Sequence, residues 1–331
     1  DPGCDVVLGD PGVSRKHAVV RPRQGGGCVV ADLNSSGGSF VNGRRFDEHE
    51  FTVGDRLQIG PFCFQFDGHN LVRVANSQGG SIHATGVHSQ IGKQTILNDV
   101  TLAIPPSRFV GIIGPSGAGK SSLLQALAGL REPTGGVILA DGHDIYATSG
   151  PQPFGYVPQD DIVHPELTVV QALRFAARLR LSRETPRLEL QKLLVQTMDQ
   201  LGLRERADLP ISRLSGGQRK RVSVGVELLA KPPILFLDEP SSGLDPATEA
   251  QLMELLRELT NTGCTIICTT HVLEHAYLFD ELIVLCAGGL AYQGPPADAR
   301  TFFNVPKLPL LYDRLGDPPA AEWRTAWEER A

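Results

Sequence analysis

Gly114-Pro115-Ser116-Gly117-Ala118-Gly119-Lys120-Ser121 decides the reading of this chain. Two glycines flank four free positions and are followed by Lys and Ser, the pattern of a phosphate-holding loop. The apolar run Phe109-Val110-Gly111-Ile112-Ile113 precedes it, and a second apolar run over 123–130 follows. Strand, glycine loop and helix are therefore predicted in that order, the context in which such a loop works. Glycines let backbone N–H groups approach phosphate oxygens, and the helix from Lys120 onward aims its positive end at them. Lys120 would neutralise the outer phosphates. The Ser121 hydroxyl would ligate Mg²⁺, with Ser122 beside it in the first turn.

The second half of such a site is Ile234-Leu235-Phe236-Leu237-Asp238-Glu239-Pro240. Four apolar residues predict a strand covered on both faces, as in a parallel sheet. Asp238 emerges at its end, where it could hold Mg²⁺ through water. Glu239 follows, where a carboxylate can polarise an attacking water. Alone, the Asp-Glu pair could equally be a helix N-terminal charge; the phosphate loop favours the chemical reading.

The remaining composition sets bounds. A chain of 331 residues is expected to hold two domains. Apolar residues are 41% and charged residues 21%, enough for a core. The net charge of −6 gives no support for nucleic-acid binding. The cysteines, Cys4, Cys28, Cys63, Cys264, Cys268 and Cys286, form no zinc-type pairs, and a reducing compartment fits them best. No apolar run approaches the roughly 20 residues that cross a bilayer. Asp1, where an initiator Met would stand, reads as a cut edge. The chain is expected to be a soluble piece of something larger.

Along the chain, residues 1–75 alternate short apolar runs with turn residues and read as all-β. Residues 76–80, Asn-Ser-Gln-Gly-Gly, read as a linker. Residues 81–300 read as an α/β domain with a helical subdomain inserted at about 160–230. Residues 301–331 read as a partly helical tail.

Leu214-Ser215-Gly216-Gly217-Gln218 then supplies a resemblance. With the two motifs above, this pentapeptide resembles the nucleotide-binding domain of ATP-binding-cassette (ABC) proteins. The family's glutamine loop is matched by Tyr156-Val157-Pro158-Gln159-Asp160, its D-loop by Ser242-Gly243-Leu244-Asp245, and its switch histidine by His271. The resemblance implies ATP and Mg²⁺ as cofactors. It implies Glu239, His271 and Gln159 as catalytic groups, and Ser121, Gln159 and Asp238 around the metal. Ser215, Gly216, Gly217, Gln218 and Asp245 would complete the site of a second copy of the chain, so that two copies close head to tail around two ATP molecules. One departure stands out: residues 81–100 hold no Phe, Tyr or Trp to stack on adenine, only His83 and His88, or an aliphatic such as Val87.

The run from Tyr156 to Val169, with Ser215-Gly216-Gly217-Gln218-Arg219-Lys220-Arg221-Val222-Ser223, is similar to the G subfamily of ABC exporters. Those place the ATPase before the membrane domain, which implies a membrane domain after residue 331 and a location on the cytoplasmic face of the plasma membrane. Arg219-Lys220-Arg221 is expected to be solvated or paired rather than a basic patch.

Ser14-Arg15-Lys16-His17 and Asp32-Leu33-Asn34-Ser35-Ser36-Gly37 resemble forkhead-associated (FHA) domains, β-sandwiches that bind phosphothreonine. The resemblance implies Ser14, Arg15 and Ser36 as phosphopeptide contacts and His17 as a structural histidine. The family's Gly-Arg would lie before Asp1, and Gly37 stands where an Asn is usual. An FHA module joined to a G-type cassette is similar to actinobacterial exporters controlled by Ser/Thr kinases. A phosphothreonine protein or such a kinase is the implied partner. Two rivals stay open: a soluble ABC ATPase, and a phosphothreonine-reading scaffold whose ATPase is a switch.

Overall fold

The computed structural model describes residues 5–8, 13–23, 27–35, 38–41, 44–59, 62–74, 80–147, 152–181, 185–316 and 320–329. The chain falls into two compact units. One comprises Asp1–Asn76, Val163–Leu214 and Arg221–Lys231; the other comprises Ser77–Ile162, Ser215–Lys220 and Pro232–Ala331.

The N-terminal β module has two antiparallel sheets. Ala18–Pro22, Cys28–Asp32 and Glu48–Phe51 form one; Arg44–Phe46, Ser39–Val41, Arg56–Ile59, Phe62–Phe66 and Leu71–Val74 form the other. Alternation directs one side chain in two inward. Val30 and Phe51 of the first sheet share a core with Val41, Leu57, Ile59 and Phe66 of the second. Phe51 and Phe66 meet edge to face at 6.4 Å. One core between two sheets makes this a β-sandwich.

The larger unit is built on a six-stranded sheet in the order Gly155–Val157, Ile234–Leu237, Thr265–Thr269, Phe109–Ile113, Glu281–Cys286, Gly289–Gly294. All neighbours are parallel except the last pair. Phe109–Ile113 and Ile234–Leu237 are buried at every position, as their apolar runs require, and so is Thr265–Thr269 between them. A second, antiparallel sheet holds Gln94–Ile104, Ile82–Ile91, Gly135–Ala140 and His143–Asp144. Leu123, Leu124 and Leu127 of the helix Lys120–Leu127 join residues of both sheets in one core. The phosphate loop and the acidic pair thus emerge at the C-terminal ends of parallel strands, with Thr265–Thr269 between them.

The helices Val169–Arg180, Arg187–Gln200 and Gly216–Leu228 lie in the predicted helical stretch. Thr168 and Gln171 close a capping box on the first. Arg180 grips Glu227 with two hydrogen bonds, at 2.7 and 2.5 Å. The stretch is divided, however: Ser215–Lys220 groups with the nucleotide unit. Of the residues read as a linker, 76–79 lie outside the described residues. Gly80 is buried, donates to Pro233 O at 3.1 Å and accepts from Thr265 Oγ1 at 2.8 Å. The tail is partly helical, and Trp323 and Trp327 of Ala320–Glu328 pack on Phe302, with Trp323 also on Phe303 and Trp327 on Tyr292. Among the described residues, no helix is long and apolar enough to cross a membrane.

Candidate functional site

Backbone shape makes the phosphate loop. Gly114, Gly117 and Gly119 have φ of 153, 78 and 95°, left-handed values that favour glycine. A Cβ on Gly114 would fall 2.3 Å from Leu285 O, and one on Gly119 2.8 Å from Ile96 O, so both positions also exclude a side chain by space. Ala118 is buried beneath the loop and its amide returns to Pro115 O at 3.1 Å; Ser116 and Gly117 face solvent. Gly119 precedes the helix, and no side chain caps its free N–H groups. Lys120 is buried, its ammonium donating to Gly114 O at 3.0 Å and Pro115 O at 3.1 Å across the mouth of the loop.

The acid strand meets this loop directly. Ser121 Oγ donates to Asp238 Oδ1 at 2.9 Å, although 117 positions separate them. Thr269 Oγ1 donates to the same oxygen at 2.7 Å and accepts the Glu239 amide at 2.8 Å. Tyr156 OH lies 3.5 Å from Asp238 Oδ2, and burial, then the Asp238 charge, raises its pKa. Glu239 has φ 42°, an unusual value for a residue with a side chain, costing about 1–3 kcal/mol. The bond to Thr269 holds it there. Its Oε2 lies 3.6 Å from His271 Nδ1. A serine hydroxyl and a carboxylate 2.9 Å apart, beside an uncapped helix start, are hard oxygen donors that fit Mg²⁺ next to phosphate. From the C-terminal segment, Tyr312 brings a buried hydroxyl to the Gly114 amide without forming a good hydrogen bond. Burial raises its pKa, with the Glu239 and Glu274 carboxylates adding to it, so it stays protonated.

The predicted residues do not all converge. Gln159 is exposed and its amide donates to Ser242 Oγ at 3.5 Å. Asp245 caps the helix Pro246–Asn261, accepting from Ala247 N, Thr248 N and Thr248 Oγ1 at 3.2, 3.1 and 2.6 Å. The Thr248 hydroxyl, then its amide, lower the Asp245 pKa. Ser215 and Gln218 cap each other's backbone, Ser215 N to Gln218 Oε1 at 3.1 Å and Gln218 N to Ser215 Oγ at 3.3 Å. Gly216 follows as the first residue of the helix. Ser122 is half-buried on the helix after the phosphate loop.

Comparison with known proteins explains the arrangement. The ABC transporter family profile matches residues 97–242, and the FHA domain profile matches residues 1–60. The chain is 37% identical over 325 residues, 96% of its length, to the ABC transporter ATP-binding/permease protein Rv1747 of Mycobacterium tuberculosis. This chain is an ABC ATPase cassette joined to an FHA domain. It spans 38% of the length of the mycobacterial relative. It is also 37% identical over 246 residues to ABC transporter G family member 25 of Oryza sativa, covering 71% of this chain and 24% of that one. Among solved structures, the dimeric ATP-binding cassette MJ0796 bound to ADP and Pi aligns with a TM-score of 0.58 and 26% identity, over 65% of this chain and 98% of that one.

In this ABC cassette the base contact departs from the expectation. Val87 is fully buried in the core and offers no face to adenine. A bulge at Gly86 breaks the strand's alternation, so that His83 before it and His88 after it are both exposed, and His88 Nδ1 accepts from Asp99 N at 3.3 Å. In the FHA domain, His17 is structural as expected: Nδ1 accepts the Ser14 amide at 3.1 Å, leaving Nε2–H to donate to Gly38 O at 3.0 Å. Ser14 is buried and Arg15 exposed. Ser36 and Gly37 lie outside the described residues.

Thr269 and Tyr156 also reach Asp238 and lie outside the site residues that the sequence picks out. Thr269 carries a usable signal, a hydroxyl directly after the apolar run Ile266-Ile267-Cys268, on the strand beside the acid strand.

Proposed function

We propose that this chain powers an ABC exporter of the G type, hydrolysing ATP between two copies that close head to tail. The observation that carries the proposal is the 2.9 Å contact of Ser121 with Asp238, which joins phosphate loop and acid strand in one chain. Lys120 and the N–H groups of 114–121 bind the phosphates; Ser121 and Asp238, with Gln159 swinging in, hold Mg²⁺, which screens phosphate charge when bound. Glu239 orients and polarises the attacking water, and His271, 3.6 Å from it, steadies its carboxylate. Ser215, Gly216, Gly217, Gln218 and Asp245 face the partner's nucleotide. In this reading, residues 81–300 are the cassette, which works at the cytoplasmic face of the plasma membrane, and 301–331 lead to a membrane domain.

The same reading gives the FHA domain, 1–75, a phosphothreonine-dependent regulatory role through Ser14, Arg15 and Ser36. The fusion of the two domains in a mycobacterial ATP-binding/permease relative supports it. Light scattering with and without MgATP tests the first part: the ATP-bound chain is expected to dimerise, and Lys120→Ala to stay monomeric without binding ATP. Titration with a phosphothreonine peptide tests the second. Micromolar binding, about −8 kcal/mol, is expected, and no difference from the unphosphorylated peptide would remove the regulatory role.

A further inference from the structure

Lys220 lies two positions past the signature pentapeptide and is only 4% exposed. Its ammonium donates to Gln159 O at 2.7 Å and to Pro158 O at 3.3 Å, and it lies 3.5 Å from Asp161 Oδ1. An ammonium has three donors, and this one meets three acceptors within four consecutive residues. Arg219 Nε reaches Asp161 Oδ2 at 3.3 Å, so the first turn of the helix Gly216–Leu228 holds the glutamine loop by two side chains. These contacts are a physical reason why Ser215–Lys220 groups with the nucleotide unit.

A buried cation is costly to desolvate, and matched acceptors rarely return more than that cost as stability. What the arrangement does supply is position. With its carbonyl held at 2.7 Å, Gln159 has a fixed backbone from which its side chain projects, now toward Ser242 Oγ. We propose that Lys220 is a positioning residue for hydrolysis: by holding the carbonyls of Pro158 and Gln159 it sets the reach of the Gln159 side chain and ties the signature helix to the glutamine loop of its own chain. The inference rests on the role given above to Gln159.

A double-mutant cycle on the intact chain tests it, with kcat, KM for MgATP and Tm measured for wild type, Lys220→Met, Gln159→Ala and the double variant. Lys220→Met keeps the stem and removes the donors. It is expected to lower kcat per folded molecule about tenfold, the worth of one strong hydrogen bond, with KM within about twofold. In the Gln159→Ala background it is expected to cause no further loss. Losses that multiply in the double variant would overturn the inference, because Lys220 would then act independently of Gln159. So would a lowered Tm with kcat per folded molecule unchanged, which marks a purely structural lysine. Wild-type kcat in Gln159→Ala would remove Gln159 from hydrolysis and the inference with it, a result distinct from multiplying losses. If Lys220→Met does not fold, Lys220→Gln goes through the same cycle under the same criteria.

Discussion

The Thr269 hydroxyl donates to Asp238 Oδ1 at 2.7 Å while accepting the amide of Glu239, so one threonine orients both acids at the end of the neighbouring strand. Thr269→Val preserves shape and loses both bonds. It leaves the part-buried Glu239 N–H without that partner, which costs up to about 1–3 kcal/mol. The variant is expected to melt earlier and to lose Mg²⁺-dependent ATPase activity more than ATP binding. Calorimetry and a steady-state assay check this; unchanged kcat would show that Glu239 keeps its left-handed conformation without the threonine.

Gly217 is fixed by close approach. A Cβ there would fall 2.1 Å from Thr248 Cγ2, on the helix that Asp245 caps. Gly217→Ala is expected to cost about 1–3 kcal/mol, as overpacking does. Thr248→Ser removes the clashing methyl and keeps the hydroxyl that donates to Asp245. Adding it to Gly217→Ala should recover most of the lost Tm; no recovery would mean that the glycine is required for another reason.

Asp32 links FHA stability to acid pH. Burial pushes its carboxyl up, but the Ser35 and Ser39 hydroxyls, the Ser35 amide and His17 together outweigh burial, so its pKa is lowered. A carboxylate with a lowered folded pKa adds stability that is present above the unfolded value, about 4, and lost as pH falls through the folded one. Asp32→Asn is therefore expected to destabilise the FHA domain at neutral pH and to match wild type in strong acid. Thermal melts across pH check it, and a gap that persists unchanged into strong acid would contradict it.

The sequence showed the main elements because their signals are local. Phe109–Ile113 and Ile234–Leu237 read as buried strands from unbroken apolar runs. The glycine spacing of 114–121 forces its own backbone shape. What escaped was set by distance or by competing uses of one side chain. Lys220 meets its acceptors 61 and 62 positions away, and a run of three basic residues shows nothing of that. Arg219 and Arg221, expected to be solvated or paired, bond Asp161 and Leu201 O. Asp245, expected at the partner's nucleotide, also caps its own helix, as Asp-Pro at a helix start allows. The sequence leaves Val87 open as an adenine contact, but a bulge at Gly86 resets the strand's alternation and turns it into the core.

The central claim is that Glu239 drives hydrolysis at a site built by Lys120, Ser121 and Asp238. The most direct test is steady-state ATP hydrolysis by Glu239→Gln at saturating MgATP, with nucleotide binding measured on the same sample. The account predicts ATP binding and ATP-driven dimerisation like wild type, with hydrolysis slowed by about 100-fold or more, the scale of a lost general base. Wild-type turnover in that variant would contradict it and take Glu239 out of the reaction.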